Sequence, residues 1–416
     1  MNKKISAGSG VQIICAVFCP FGVGYYLSYF FRTINAVISE NLSTELGLGP
    51  ANLGLLTSFY LIAFACAQIP LGIALDRYGP RKVNGFLLMI AGVGATIFAF
   101  AQSFETLLLG RALIGLGVSA ALVSACKANA IWFSADRIPL MNNLIGAFGA
   151  LGALSATRPV ELFLQVVSWR DIFGYLAVTT VLIALVILTL VPEKREVRPA
   201  QQNASEQLES YKNIICDRYF WRVSLMYAFS GAAFVSYQTL WADPWLRDVA
   251  GLEQAERANY LLAIQAGFLL GLLITGMVAD LLRKTRYQAV HVFGGGVFLL
   301  IGVQVLLAFG ITSGLFAIWF LYGLLSSATF LAYAAQTAHF SDDVSGRAMT
   351  AMNFLMFALA FFCQWGIGEV IESFPADVHG RYSLAAHATA LWIIIGAQSL
   401  CILYFIFPGQ SKSKNA

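Results

Sequence analysis

Charged residues are scarce in this sequence: Asp, Glu, Lys and Arg make up only 12% of the 416 residues, whereas 58% are hydrophobic. That apolar content exceeds what one globular core can bury, which excludes an ordinary soluble protein and predicts a polytopic membrane protein. The seven cysteines lie mostly within apolar runs and lack the spacing of metal ligands or of a disulfide framework. The sequence also lacks a nucleophile–base pairing and a phosphate loop, so we expect no enzyme, metal or cofactor.

Apolar runs long enough to cross a bilayer recur along the whole chain. The twelve predicted spans are residues 12–38, 53–75, 83–102, 106–132, 139–165, 170–192, 219–241, 258–281, 288–310, 314–338, 347–370 and 385–407. The long polar segment 192–211 lies between the sixth span and the seventh. We therefore predict an all-α membrane protein with two six-helix bundles, 1–192 and 219–416, joined by a cytoplasmic linker at 193–218.

The cations are distributed unequally between the two sides of these spans. With both termini placed inside, 18 of the 26 Lys and Arg residues lie in cytoplasmic segments, four lie outside and four lie within spans. By the positive-inside rule, this asymmetry predicts cytoplasmic termini. Because the cations behind the net charge of +4 sit in short loops, we expect no nucleic-acid partner.

A charged turn joins the second span to the third. It reads Gly72-Ile-Ala-Leu-Asp76-Arg77-Tyr-Gly79-Pro-Arg81-Lys82, with three cations beside the bilayer. The pattern resembles the signature loop of the major facilitator superfamily, where the Asp is a conformational latch. The resemblance implies a monomeric transporter in the bacterial inner membrane. It also implies a latch formed by Gly72, Asp76, Arg77, Gly79, Arg81 and Lys82, with Arg137 as a further loop cation for Asp76.

A second copy of the loop supports this resemblance. Gly276-Met-Val-Ala-Asp280 repeats Gly72-Ile-Ala-Leu-Asp76 at an offset of 204 residues, which predicts two homologous halves and a weaker latch at Asp280. In addition, Arg111-Ala-Leu-Ile-Gly115-Leu-Gly117 resembles the R-x-x-x-G-x-G pattern of the family's fourth helix. We expect a structural or gating role for Arg111, Gly115 and Gly117, where small residues permit close packing.

Four cations, Arg32, Arg111, Lys127 and Arg158, lie within predicted spans. Each would cost about 2.5–3.5 kcal/mol at a helix centre, so each needs a partner, a wet cavity or an escape to the interface. Arg158 precedes Pro159 near the outer end of span 5, so it either snorkels to the surface or gates. Arg111 and Lys127 fall about 160° apart around one helix. One of the two therefore lies outside the binding site. We assign Lys127 to the binding site and Arg111 to a position outside it.

Arg32 is the best candidate for substrate binding. Tyr25, Ser28, Tyr29, Arg32 and Asn35 fall on one face of the first span, which is otherwise Phe, Val, Ile and Leu. The motif is similar to Y-x-x-R-x-x-N in the organic-anion branch of the superfamily, where the Arg binds a carboxylate or phosphate. Phe31 stands where that branch often has an acidic residue, so the resemblance does not assign a residue to the proton-coupling step. The alternative is that Arg32 only pairs with a structural carboxylate.

The second half offers uncharged polar groups. We expect Tyr237 and Gln238 of the seventh span and Tyr333 and Gln336 of the tenth to complete the site by hydrogen bonds, with interhelical packing as the alternative for each. Acidic residues are confined to the ends of the spans, so the middle of the bilayer carries an excess of cations, which favours an anionic ligand.

Together, these features predict a secondary active transporter that works by alternating access and takes up a small organic anion with a coupling proton. Two alternatives stay open. One is a major facilitator exporter of drugs or metabolites, and the other, more remote, is a transporter-like sensor or a channel.

The cation asymmetry generates a topological prediction. Reporter fusions after residues 80, 200 and 285 should read cytoplasmic, and fusions near residues 45 and 378 should read external, because 18 of 26 cations lie on the predicted inner side. An external reading at residue 200 would contradict the arrangement of six spans on either side of the linker.

Overall fold

The computed structural model describes residues 14–134, 137–192, 212–283, 289–340 and 342–406, and the regular secondary structure of these residues is helical. An antiparallel bridge between Ala376 and Tyr382 closes one loop. The predicted all-α membrane fold is confirmed. The linker predicted at 193–218 falls largely outside the described residues, although residues 212–216 form a helical turn.

Contacts between Cα atoms divide the chain into two compact units, Met1–Leu48 with Leu56–Gln201, and Gly49–Leu55 with Gln202–Ala416. In the first unit, a π-helical turn (Ile14–Phe18) leads into helices α1 (Cys19–Thr33), α2 (Asn35–Leu46), α3 (Pro50–Ala99), α4 (Phe104–Val118), α5 (Ala121–Trp132), α6 (Ile138–Ser155), α7 (Arg158–Leu164) and α8 (Trp169–Leu190). The first turn of α3 belongs to the second unit, and α3 is itself two helices joined at Gly79.

The second unit begins with α9 (Arg218–Ser236), which continues through a π-helical turn (Tyr237–Trp241) into α10 (Ala242–Asp248). The remaining elements are α11 (Gln254–Arg283), α12 (Ala289–Ala308), α13 (Leu315–Ser326), a 3-10 turn (Ser327–Phe330), α14 (Leu331–His339), α15 (Asp342–Glu372) and α16 (Leu384–Ile406).

Ten helical segments of the described chain are long and apolar enough to cross a membrane, and they coincide with ten of the twelve predicted spans. The other two are spans 1 and 7. Span 1 is interrupted at Ile34, between α1 and α2, and span 7 contains the π-helical turn between α9 and α10. Both breaks occur where polar residues replace apolar ones. In soluble and membrane proteins alike, such π-helical turns are frequent at functional sites.

Glycines hold the helices of the first unit at close range. A Cβ atom built on Gly115 of α4 would lie 2.2 Å from the carbonyl oxygen of Tyr60, and one on Gly117 would lie 2.3 Å from the nitrogen of Ala91. On α6, a Cβ at Gly152 would lie 2.2 Å from the oxygen of Tyr26. Helix α4 thus packs on α3, and α6 packs on α1, with backbone against backbone, as small residues allow in membranes.

The second unit contains a reciprocal glycine crossing. A Cβ on Gly323 of α13 would lie 2.0 Å from the oxygen of Ile264, and a Cβ on Gly267 of α11 would lie 2.1 Å from the oxygen of Phe320. Because the obstructing atoms are backbone, no side-chain rotation can relieve these contacts.

This crossing generates a stability prediction. Gly323→Ala should force α11 and α13 apart and destabilise the protein by about 1–3 kcal/mol, the usual cost of overpacking. The matched control is Gly302→Ala in the interior of α12, since no atom of the described residues lies within 4 Å of a Cβ there. The control gains helix propensity and should be neutral or more stable by up to about 1 kcal/mol. Equal melting temperatures for the two purified variants would contradict the crossing.

Candidate functional site

Side chains from neighbouring helices donate to two backbone carbonyls of span 1, that of Phe31 at the break and that of Ser28 within α1. Nη1 of Arg111 donates to the carbonyl oxygen of Phe31 at 3.0 Å, and the hydroxyl of Tyr60 donates to the oxygen of Ser28 at 3.1 Å. In a bilayer, a carbonyl without such a donor would cost several kcal/mol. Arg111 and Tyr60 therefore fix the backbone on either side of Tyr29 and just before Arg32.

Arg32 contacts the rings of Tyr29 and Phe64, which together we call the aromatic box. Its Cζ atom is 4.7 Å from the centre of the Tyr29 ring and 5.1 Å from the centre of the Phe64 ring, and the residue is only 8% exposed. The rings of Tyr29 and Tyr25 meet edge to face at 5.1 Å. Aromatic faces stabilise a guanidinium by cation–π attraction and do not neutralise its charge.

The rest of the predicted stripe divides into two roles. Tyr25 packs on Gly149 of α6 and shares the aromatic cluster with Tyr29. Ser28 and Asn35 instead bind neighbouring helices: Oγ of Ser28 donates to the oxygen of Val118 at 3.3 Å, and Nδ2 of Asn35 donates to Oγ1 of Thr57 at 2.9 Å. These two side chains serve interhelical packing in this structure.

The other cations predicted within spans, Arg111, Lys127 and Arg158, lie in environments different from that of Arg32. Arg111 is 1% exposed, with the rings of Phe98 and Phe173 at 5.2 and 5.8 Å from its Cζ atom. Nζ of Lys127 donates to the oxygen of Leu75 at 3.2 Å, one residue before Asp76, which places Lys127 at the end of the second span.

Arg158 begins α7 and pairs with Glu161 at 2.5 Å. The predicted fifth span is broken immediately before it, at Ala156 and Thr157, so α7 is a separate short helix. The carboxylate of Glu161 also accepts from Gln165 at 2.9 Å. Arg158 therefore belongs to a local ion pair in this structure.

The loop from Gly72 to Lys82 contains the left-handed residue that reverses the chain. Gly79 has φ +79°, a conformation that L-residues rarely adopt. Arg81 donates from Nε to the oxygen of Leu188 at 3.0 Å and so ties the loop to the end of α8. Around Gly72, no atom of the described residues lies within 4 Å of an added Cβ, so no described helix packs closely against this glycine.

Other members of the predicted latch are solvent-facing. Arg77 stacks over the ring of Tyr78 at 5.3 Å, and Arg77, Lys82, Arg137 and Asp280 are exposed. The structure does not describe the side chain of Asp76. The contact by which Asp76 would form the latch therefore stays a prediction.

In the second unit, two predicted residues lie in the π-helical turn. Tyr237 is 1% exposed and packs its ring between Trp319 and Tyr322, at 6.2 and 6.0 Å. Nε2 of Gln238 donates to Oε1 of Gln265 at 2.7 Å, which joins the turn to α11. Tyr237 is thus a core residue, and Gln238 forms part of a buried amide pair.

The predicted residues of α14 differ in environment. Gln336 is fully buried and donates to Oγ of Ser224 at 3.1 Å, an interhelical contact. Tyr333 is half-buried and forms a polar cluster with Tyr227, whose hydroxyl lies 2.8 Å away, and with Asn353, whose Oδ1 accepts from Tyr333 at 3.0 Å. This cluster could donate hydrogen bonds to a ligand.

Sequence reasoning missed Tyr60, Phe64 and Asn353. Tyr60 and Phe64 are one helical turn apart in an apolar span, where they are indistinguishable from ordinary core aromatics until their contacts are known. Asn353 was detectable as the amide in an apolar stretch of α15. No group of three or more His, Cys, Asp or Glu among the described residues is arranged to hold a metal ion.

Comparison with known proteins matches this chain to one family model and to several membrane transporters. The family model "Major Facilitator Superfamily" matches residues 21–363. A probable sulfoacetate transporter of Cupriavidus necator is 24% identical over 89% of this chain and 81% of its own length. A probable L-galactonate transporter of Escherichia coli is 25% identical over 62% of this chain and 60% of its own length. The inward-facing, occupied crystal structure of a bacterial homologue of the lysosomal transporter Spinster superposes with a TM-score of 0.76 at 16% identity, covering 96% of this chain and 97% of the other.

Proposed function

The chain belongs to the major facilitator superfamily of membrane transporters, and we propose that it takes up a small organic anion together with protons by alternating access. In this proposal it is a multi-pass protein of a bacterial inner membrane with cytoplasmic termini, and Arg32 binds the anionic group of the substrate. The observation that carries the proposal is the aromatic box around Arg32, at the break of span 1.

The box favours anion binding over a purely structural role for Arg32. A guanidinium offers a planar fork of donors that matches a carboxylate or sulfonate, and the Tyr29 and Phe64 rings orient that fork without consuming its charge. A buried cation is costly, and a function that needs the charge explains why it is kept.

The acidic residues near the ends of the spans have other partners. Glu161 pairs with Arg158 at 2.5 Å, and Asp243 pairs with Arg257 at 2.7 Å. Glu369 accepts from the indole nitrogen of Trp365 at 2.8 Å. These acids therefore satisfy local groups, which supports a positive potential around the break of span 1 and an anionic ligand there.

The relatives support the substrate class. Two of them are named for transport of sulfoacetate and of L-galactonate, which are both organic anions. Sulfoacetate and L-galactonate are therefore suitable first probes, with galactose as an uncharged comparison for L-galactonate.

Arg32→Gln should abolish binding of the anionic probes that stabilise the wild type. Removing one member of a buried charged contact typically costs about 2–5 kcal/mol, which is about thirty-fold to several thousand-fold in affinity. Arg32→Lys should recover only part of the affinity, because lysine keeps the charge but loses the planar fork. The measurement is a thermal-shift titration of the purified variants, in which a bound ligand raises the melting temperature by mass action.

Lys212→Gln is the matched control, since it removes an exposed cation outside the spans and should bind like the wild type. A destabilised Arg32→Gln protein with normal affinity would refute the anion site. Stabilisation of the wild type by galactose alone would refute the substrate class, and efflux without uptake in reconstituted vesicles would assign export.

A further inference from the structure

A buried ionisable pair joins two helices of the second unit. Nε2 of His387, in the first turn of α16, lies 2.9 Å from Oδ2 of Asp248, the last residue of α10. Each side chain is 1% exposed. The other three histidines of the chain, His291, His339 and His379, are exposed. His387 is therefore the one buried histidine of the chain.

The surrounding charges define the pair's electrostatics. Nε of Arg247 donates to the second oxygen of Asp248 at 2.7 Å, so each carboxylate oxygen has a donor. The neighbouring pair of Arg257 and Asp243, at 2.7 Å, is internally neutral.

Two further groups act on this region from the loop before α16 and from the end of α15. Burial raises the pKa of Tyr382, and the charges of Glu372 and Asp248 raise it further, so Tyr382 stays a neutral hydroxyl. Glu372 itself accepts from the backbone N–H of Ala51 at 2.7 Å and is exposed. The carboxylate of Asp248 therefore faces His387 and Arg247 directly, with Tyr382 as a neutral neighbour.

The hydrogen bonds determine which nitrogen of His387 carries the exchangeable proton. Burial alone raises the pKa of Asp248, but the hydrogen bonds from His387 and Arg247 outweigh burial and hold the pKa below its ordinary value. An ionised Asp248 accepts only, so Nε2 of His387 must donate in both protonation states. The second proton therefore adds to Nδ1.

We propose that the His387–Asp248 pair binds the proton that enters with the anion. The proton adds to Nδ1 of His387 when this end of the second unit opens to water. The proposal rests on the proposed function and deepens it by naming the proton carrier. It also explains how uptake proceeds with Phe31 in place of an acidic residue in span 1.

Charge balance gives the consequence of protonation. With a neutral imidazole, Arg247 and Asp248 cancel, and the buried pair adds no net charge. Within the buried group of His387, Asp248 and Arg247, a proton on Nδ1 leaves one positive charge in excess, and Glu372 is exposed and therefore screened by solvent. Burying that added charge is costly. Protonation therefore favours the hydrated, open arrangement of this end, which on the predicted topology faces the outside.

The proton can be observed without a substrate. In full-length protein labelled with ¹⁵N at histidine and held in lipid nanodiscs, the signals of His387 are those that disappear in His387→Gln. If the proposal holds, Nδ1 of His387 gains a proton as the sample is acidified, while Nε2 keeps its own. An imidazole that holds a single protonation state at every pH at which acid drives transport would overturn the proposal.

A transport measurement separates a proton carrier from a structural tie. In vesicles with acid outside, His387→Gln and Asp248→Asn should lose about tenfold or more of the pH-driven accumulation of sulfoacetate or L-galactonate, because the driving proton has no carrier. Both variants should keep exchange of labelled for unlabelled anion at equal pH within about twofold. The matched control, His379→Gln, removes an exposed histidine in the loop before α16 and should behave like the wild type.

Equal loss of accumulation and exchange in His387→Gln would identify a structural tie and overturn the proposal, as would unchanged accumulation. Wild-type protein that accumulates anion without any response to pH would overturn it too, while leaving anion binding intact. If the wild type bound no anion at all, the proposed function would fail instead, and the titration of His387 would still decide the proton site.

Discussion

The satisfaction of backbone hydrogen bonds inside a bilayer is the constraint on which the rest of this structure depends. Unbroken helices meet it by themselves, so each interruption needs donors from elsewhere. At the break of span 1, Arg111 supplies one to the carbonyl of Phe31, and Tyr60 adds another to the carbonyl of Ser28 within α1. Polar side chains are thereby concentrated where the backbone departs from a regular helix, and Arg32 lies one residue from the carbonyl that Arg111 holds.

The glycine crossings fix the positions of the helices whose side chains support the break of span 1. Side-chain packing tolerates small shifts, but the contact of Gly115 with the backbone of Tyr60 leaves no room for a methyl group. Tyr60 is also the residue whose hydroxyl supports span 1, so the packing of α4 on α3 determines where that hydroxyl lies. A larger side chain at Gly115 would push on the backbone of Tyr60 and thereby move the Tyr60 hydroxyl away from span 1.

Much of the fold could be predicted from the sequence, because hydropathy and cation placement report directly on the bilayer. Ten predicted spans coincide with apolar helices, whereas span 1 contains a helix boundary at Ile34 and span 7 a π-helical turn at Tyr237–Trp241. The site was harder to predict. Helical spacing placed Arg32 and Tyr29 together correctly, but it could not show that Ser28 and Asn35 bind neighbouring helices. Periodicity identifies the face of a helix, whereas the partner of each side chain depends on tertiary packing.

Contacts between distant segments could not be predicted from the sequence for the same reason. Asp248 and His387 are 139 positions apart, at helix ends that sequence patterns do not pair. The motif of the fourth span showed that Arg111 matters, but its acceptor is a backbone carbonyl of another helix, and a carbonyl carries no sequence signal.

The arginines of the described residues differ in their electrostatic partners. Arg158, Arg170, Arg247 and Arg257 each form an ion pair with a carboxylate. Arg111 instead contacts two aromatic rings and a carbonyl, and no carboxylate among the described residues pairs with it. Its charge therefore adds to that of Arg32 in a region of low dielectric, where the attraction between charges is stronger than in water. In the proposed function this added charge favours an anion at Arg32, while the Arg111 guanidinium itself holds the backbone of span 1.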